Sequence, residues 1–217
     1  MSHSFDAREE ILGRIRAALP GVTADPAQSY ARIAREYCIS EGLSAEACVE
    51  FFLERLADYD TEILHAADEA EIVAAVARAM QHAGEHSLLV AKELPAAWLP
   101  AGLEIRRDDE LRTEQIEGVD AVLTTCEIAV ASTGTIFLVH DGAQGRRVLT
   151  LLPDHHLCVV RRSQVVGTIP EAIRALGPRL GQAVTTISGP SATSDIEMTR
   201  IRGVHGPRRL TVILCAK

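Results

Sequence analysis

The chain has 217 residues, 47% of them hydrophobic, and a formal net charge of −8 at pH 7. That apolar mass suffices for one core, so a compact domain with an extension is expected. The acidic balance argues against a general nucleic-acid surface, which needs clustered positive charge. No apolar run approaches the roughly 20 residues of a membrane-spanning helix.

Residues 1–10 (MSHSFDAREE) lack the basic start and apolar stretch of a secretory signal. Asp6 opens a helix with Glu9 three residues later, an aspartate form of the capping box. Ile11, Leu12, Ile15 and Leu19 follow at helical spacing, and Pro20-Gly21 stops the run. Residues 22–29 (VTADPAQS) read as a linker, with a second helix over 30–38 and a third over about 44–58. Val49, Phe52, Leu53 and Leu56 stripe one face of the third. Such a stripe packs into a core or docks on a partner subunit; the sequence leaves both open.

From residue 61 the period changes. Strands are expected over 61–65 (TEILH), 87–91 (SLLVA), 103–106 (LEIR) and 119–124 (VDAVLT), with a helix capped by Asp68 and Glu71 running through Gln81. Strand–helix–strand alternation with short connections predicts a parallel sheet. Strands over 127–131 and 135–140 flank Ser132-Thr133-Gly134 as a hairpin. Further strands are expected over 147–152 and 157–161. Thr168 and Glu171 then box a helix, and residues 210–214 (LTVIL) form a last buried strand. The expected architecture is a mostly parallel α/β sheet with helices on both faces over residues 60–217, preceded by a helical segment over 1–59.

Cys38, Cys48, Cys126, Cys158 and Cys215 contain no CxxC spacing, so neither a zinc ribbon nor an iron–sulfur ligand run is present. Free thiols suit a reducing cytoplasm. No glycine-rich nucleotide loop of the GxGxxG or GxxxxGK kind occurs either. No metal or cofactor is therefore expected on this chain.

The residues that carry chemistry lie mostly in 188–207 (SGPSATSDIEMTRIRGVHGP). Gly189, Pro190, Gly203 and Gly206 shape turns around Ser188, Ser191, Thr193, Asp195, Glu197 and His205. Hydroxyls and exposed amides on rigid turns suit a carboxylate or phosphate. Asp195 and His205 can form a base and its orienter, a pair able to take a proton from a substrate hydroxyl. Thr133, Gly134 and Thr135 offer a second anion cradle, although a plain hairpin turn accounts for the same letters. His155 and His156 point to opposite faces if the chain is extended there, so they cannot share a metal. His156 is the candidate base, or else a satisfied buried ring. Glu127 is the nearest carboxylate to the hairpin and the group a covalent transferase would need, or simply a solvated strand residue.

The two motifs SGPS-x-T-x-DIE and GVHGP, in this order and spacing, resemble the C-terminal signature of the lactate utilization protein C family, the LUD domain. The resemblance extends through residues 132–135 (STGT) and 152–163 (LPDHHLCVVRRS) and covers about half of the chain. It singles out His156 over His155. The family's pattern commonly has an acid where Ser132 stands, which puts a catalytic role for that turn in doubt. The resemblance implies a fold similar to sugar-phosphate isomerases and CoA-transferases. It also implies a part in oxidising L-lactate to pyruvate beside iron–sulfur and other redox subunits. Two functions follow as expectations: an accessory subunit that binds a small hydroxy or keto acid, or a stand-alone enzyme acting on a phosphorylated or CoA-linked small acid. The motifs around Thr135, His156 and Asp195 are expected to converge outside the strand ends of the sheet.

Overall fold

The computed structural model describes residues 7–19, 25–193, 201–202 and 206–216. Asp195, Glu197 and His205 lie outside them, as does Asp6. Two compact units divide the chain, Met1–Tyr37 and Cys38–Lys217.

In the first unit, α1 (Ala7–Ala18) buries none of its residues, and Arg14 pairs with Glu10 one turn earlier at 2.5 Å. The next helix, α2 (Pro26–Ala31), departs from the expected 30–38 span. Asp25 accepts the Ala27 amide at 3.0 Å, and Pro26 occupies the first turn. That Asp-Pro pair is a helix start which the linker reading of 22–29 missed.

In the second unit, α3 (Ala45–Asp58) starts at Ser44, whose hydroxyl accepts the Ala47 amide. Its Cys48, Val49, Phe52 and Leu56 are buried in a core shared with the sheets. The sequence reading put a boundary after residue 59, but α3 belongs with the compact unit because its apolar stripe has no other cover there. The strands in chain order are β1 (Glu62–Ala66), β2 (Ser87–Val90), β3 (Glu104–Arg107), β4 (Ala121–Thr125), β5 (Ile128–Val130), β6 (Thr135–Leu138), β7 (His155–Arg161), β8 (Val165–Val166), β9 (Thr185–Ile187), β10 (Ala192–Thr193), β11 (Ile201–Arg202) and β12 (Arg209–Cys215). The remaining helices are α4 (Glu69–Ala83), α5 (Thr113–Ile116) and α6 (Ile169–Leu176).

The main sheet has the order β1-β12-β7-β4-β2-β3, and every neighbouring pair in it is parallel. A second sheet, β8-β5-β6-β9, contains the hairpin expected around residues 132–134. Strands β10 and β11 form a separate antiparallel pair. Residues 147–150, expected as strand, form a tight 3₁₀ turn instead. Thr150 bonds back to Arg147, and that local satisfaction competes with strand pairing.

Alternate residues of the main sheet enter different cores, as the period of a strand requires. Leu157, Val159 and Ile213 pack with α4, while Cys158, Val160, Val212 and Leu214 pack with α3 and the small sheet. Both faces are thus covered. Continuous burial of β4 and of β7 up to Val160 follows, as expected of parallel strands between two helical layers.

Candidate functional site

The parity of β7 sends two consecutive histidines to opposite sides. His155 is 2% exposed on the α4 side. Its Nδ1 lies 2.8 Å from Glu85 Oε2 and its Nε2 2.8 Å from Thr211 Oγ1. Thr211 donates its one hydroxyl proton to Glu62 at 2.7 Å, so it accepts from His155. Arg209 binds the other oxygen of Glu85. A continuous chain therefore runs Arg209–Glu85–His155–Thr211–Glu62, with every buried polar atom matched.

His156 lies on the other side, is 1% exposed, and borders an open cleft of about 270 Å³. Its Nε2 meets Thr124 Oγ1 at 2.8 Å. Among the described residues its Nδ1 has no hydrogen-bond partner. Burial, then the electrostatic influence of His155 and Arg147, push its pKa down to about 3, so the ring is neutral near pH 7.

The cleft sits at the amino ends of β7 and β12, beside the turn after β9. Open parallel sheets ordinarily place ligands at the carboxyl ends. Here the small sheet and the 188–190 turn cover the amino end and build the concavity there. Arg147 and Arg209 both border it. Arg147 donates to Thr150 through Nη1, and no carboxylate lies within 4.0 Å of it among the described residues. Desolvation lowers its pKa from the ordinary arginine value. An arginine so lowered still carries its charge at neutral pH.

The hairpin turn contributes indirectly. Thr133, Thr135 and Ser188 form a chain of hydroxyls with spacings of 2.7 and 2.8 Å, and only Ser188 of the three borders the cleft. Gly134 and Gly189 hold positive φ of 60° and 79°. A Cβ on Gly134 would lie 2.8 Å from Arg55 Cβ, and one on Gly189 would lie 2.7 Å from Tyr59 Cβ. The close approach these glycines permit is thus by the end of α3, not by a ligand alone. Gly189 and Ser191 border the cleft, but the Ser191 amide donates to the Pro207 carbonyl at 2.8 Å. Thr193 is placed in β10.

Sequence reasoning thus named Thr133, Gly134, Thr135, His156, Ser188, Gly189 and Ser191, which the fold gathers into one neighbourhood. It missed Thr124, Arg147 and Arg209. Nothing local marks Thr124, whose role depends on the register that pairs Val122 with His156. Glu127 does not border the cleft; Arg179 holds it at 2.5 Å, with Gln144 alongside. Among the described residues no cluster of three or more His, Cys, Asp or Glu is placed to hold a metal. No helix there is long and apolar enough to cross a membrane.

A parallel six-stranded sheet flanked by helices, with a neutral buried histidine and arginines at a cleft, defines the class: an α/β domain with an electropositive amino-end pocket. The chain belongs to the LUD domain family, whose pattern matches residues 49–215. It is 39% identical over 212 residues to lactate utilization protein C of Deinococcus radiodurans, covering 96% of this chain and 95% of that one. It is 30% identical over 132 residues to the protein of the same name from Bacillus subtilis, covering 58% of this chain and 55% of that one. The crystal structure of a DUF162 family protein from Deinococcus radiodurans superposes with a TM-score of 0.69 at 39% identity, covering 80% of this chain and 99% of that one.

Proposed function

We propose that the chain serves lactate utilization as an accessory subunit that binds a small hydroxy or keto acid, with the redox centres on partner proteins. Lactate utilization is the role that the names of its relatives state. The observation that carries the binding role is Arg147. It is a guanidinium at the cleft with no carboxylate within 4.0 Å among the described residues, beside a neutral histidine. A bound carboxylate completes that arrangement through charge-assisted hydrogen bonds. The location of electron carriers elsewhere rests on the cysteines: Cys48, Cys126, Cys158 and Cys215 are buried core residues, and Cys38 stands apart on the surface.

The alternative, a stand-alone transferase using Glu127 as nucleophile, is weaker, because Glu127 is committed to Arg179 away from the cleft. Asp195 and His205 remain the proposed base pair of the 188–207 segment, with Glu197 beside them.

Calorimetric titration of L-lactate and pyruvate into the wild-type protein and Arg147→Gln tests the reading. Losing a charge-assisted contact of about 1.5–3 kcal/mol weakens binding roughly ten- to a hundredfold. Equal affinity in the two proteins would remove Arg147 from the site. His205→Ala and Asp195→Asn, titrated in parallel and scored for growth on lactate with the partner proteins present, separate binding from scaffolding. Full complementation with unchanged affinity assigns their segment a structural role only.

A further inference from the structure

Resting on the proposed binding cleft, the hydrogen bonding around His156 further specifies which acid it takes. We infer that Thr124 fixes His156 as the tautomer with its proton on Nδ1, so that the cleft presents an N–H donor and prefers a 2-keto acid to the corresponding 2-hydroxy acid.

The argument is a count of protons. Thr124 is fully buried, and its hydroxyl meets one partner among the described residues, His156 Nε2 at 2.8 Å. A hydroxyl carries one proton and can accept as well. If Nε2 carried the proton, Thr124 would accept and its own proton would be left unbonded in the core. Orphaned buried donors are rarer than under-used acceptors because their desolvation is not recovered. Thr124 therefore donates to Nε2. A neutral ring has one proton, which then sits on Nδ1, the nitrogen without a partner among the described residues, on a ring that borders the cleft. Neutrality follows from burial beside His155 and Arg147, which pushes the pKa down to about 3.

The other charged groups bordering the cleft, Arg147 and Arg209, are donors as well, and no Asp or Glu borders it among the described residues. A carboxylate and a keto oxygen offer acceptors alone and suit this lining. The hydroxyl of a 2-hydroxy acid can accept from the same N–H, but its own proton then needs an acceptor, and the charged groups bordering the cleft among the described residues offer none. Thr124 is here a positioning residue, acting through the tautomer of His156, and His156 is the binding residue. The Ser188 hydroxyl is held in the chain with Thr135 at 2.8 Å.

The test is titration of pyruvate and L-lactate into the full chain near pH 7, combined with nitrogen NMR of the histidine ring. The His156 signal is assigned by its loss in His156→Asn. Pyruvate is expected to bind about tenfold more tightly than lactate, and His156 to show a protonated Nδ1 and an unprotonated Nε2. Thr124→Val should bring the two affinities together by freeing the tautomer, while Thr124→Ser restores the preference. Lactate binding as tightly as pyruvate, or an Nε2-protonated ring in the wild-type protein, overturns the inference and leaves the cleft assignment standing. Failure of both acids to bind overturns the cleft assignment itself, and the inference with it. The ring signal is read on the wild-type protein, so the test holds even where Thr124→Val does not fold.

Discussion

His155 and His156 are the same side chain on consecutive positions of one strand, both almost completely buried, yet they stand in opposite chemical situations. His155 has a partner for each nitrogen and sits in a chain that ends on carboxylates at either side. Among the described residues His156 has a partner for one nitrogen only, and the ring borders a cleft lined in part by Arg147 and Arg209. Burial alone thus says little about a polar residue's use. What separates a structural histidine from a binding one is whether the fold satisfies all of its hydrogen-bonding capacity or leaves part of it open.

The sharpest way to break this comparison is on the His155 side. Glu85→Ala removes the carboxylate shared by His155 and Arg209, leaving a buried ring nitrogen and a guanidinium without their partner. Leaving a buried polar group without its hydrogen-bond partner costs about 1–3 kcal/mol. Urea unfolding should show a loss of that size, and a loss under about 1 kcal/mol would mean the chain of contacts contributes nothing.

On the His156 side the signature is a pH dependence. Folded His156 stays neutral down to about pH 3, whereas the unfolded ring takes a proton near its ordinary value of about 6.5. Between those values the unfolded state binds the extra proton, so stability falls as pH falls, by up to about 1.4 kcal/mol per pH unit from this residue. Above about pH 6.5 the residue contributes no slope. Asp108, Asp120, Asp154 and Glu171, each held below its ordinary pKa, lose stability as pH drops as well. Their contribution is lost below about pH 4.5, where the unfolded carboxyls take up protons. The difference in slope between wild type and His156→Asn from pH 6.5 to 4.5 therefore isolates His156. Parallel slopes would show that the ring is protonated in the folded protein.

The smallest effect is expected at the hydroxyl chain. Thr135→Val unhooks Ser188 from the hairpin, at a cost of about 1 kcal/mol in stability. Acid binding should weaken by severalfold if Ser188 needs that support to face the ligand. Unchanged affinity would make the chain of hydroxyls a brace for the small sheet alone.

Much of this protein is determined locally. The change from helical spacing to alternating strand and helix after residue 60 specified the parallel sheet, and Asp68 and Thr168 marked helix starts that appear in the structure. The hairpin followed from Ser132-Thr133-Gly134 between apolar runs. Local letters misled where a local bond competed, as in the 3₁₀ turn at Arg147, and where Asp25-Pro26 began a helix inside a polar stretch.

The sequence by itself also placed His155 and His156 on opposite faces, since alternation is a property of any extended chain. It could not say which of them would be left with a free nitrogen. That depended on Glu85 and Thr211 arriving on one side and, among the described residues, Thr124 alone on the other, partners that lie between 32 and 70 residues away. Likewise, glycines that seemed suited to a ligand proved to admit Arg55 and Tyr59 at the end of α3. Strand parity travels with the chain, but hydrogen-bond satisfaction depends on what the rest of the fold brings to each side, and only the tertiary structure decides that.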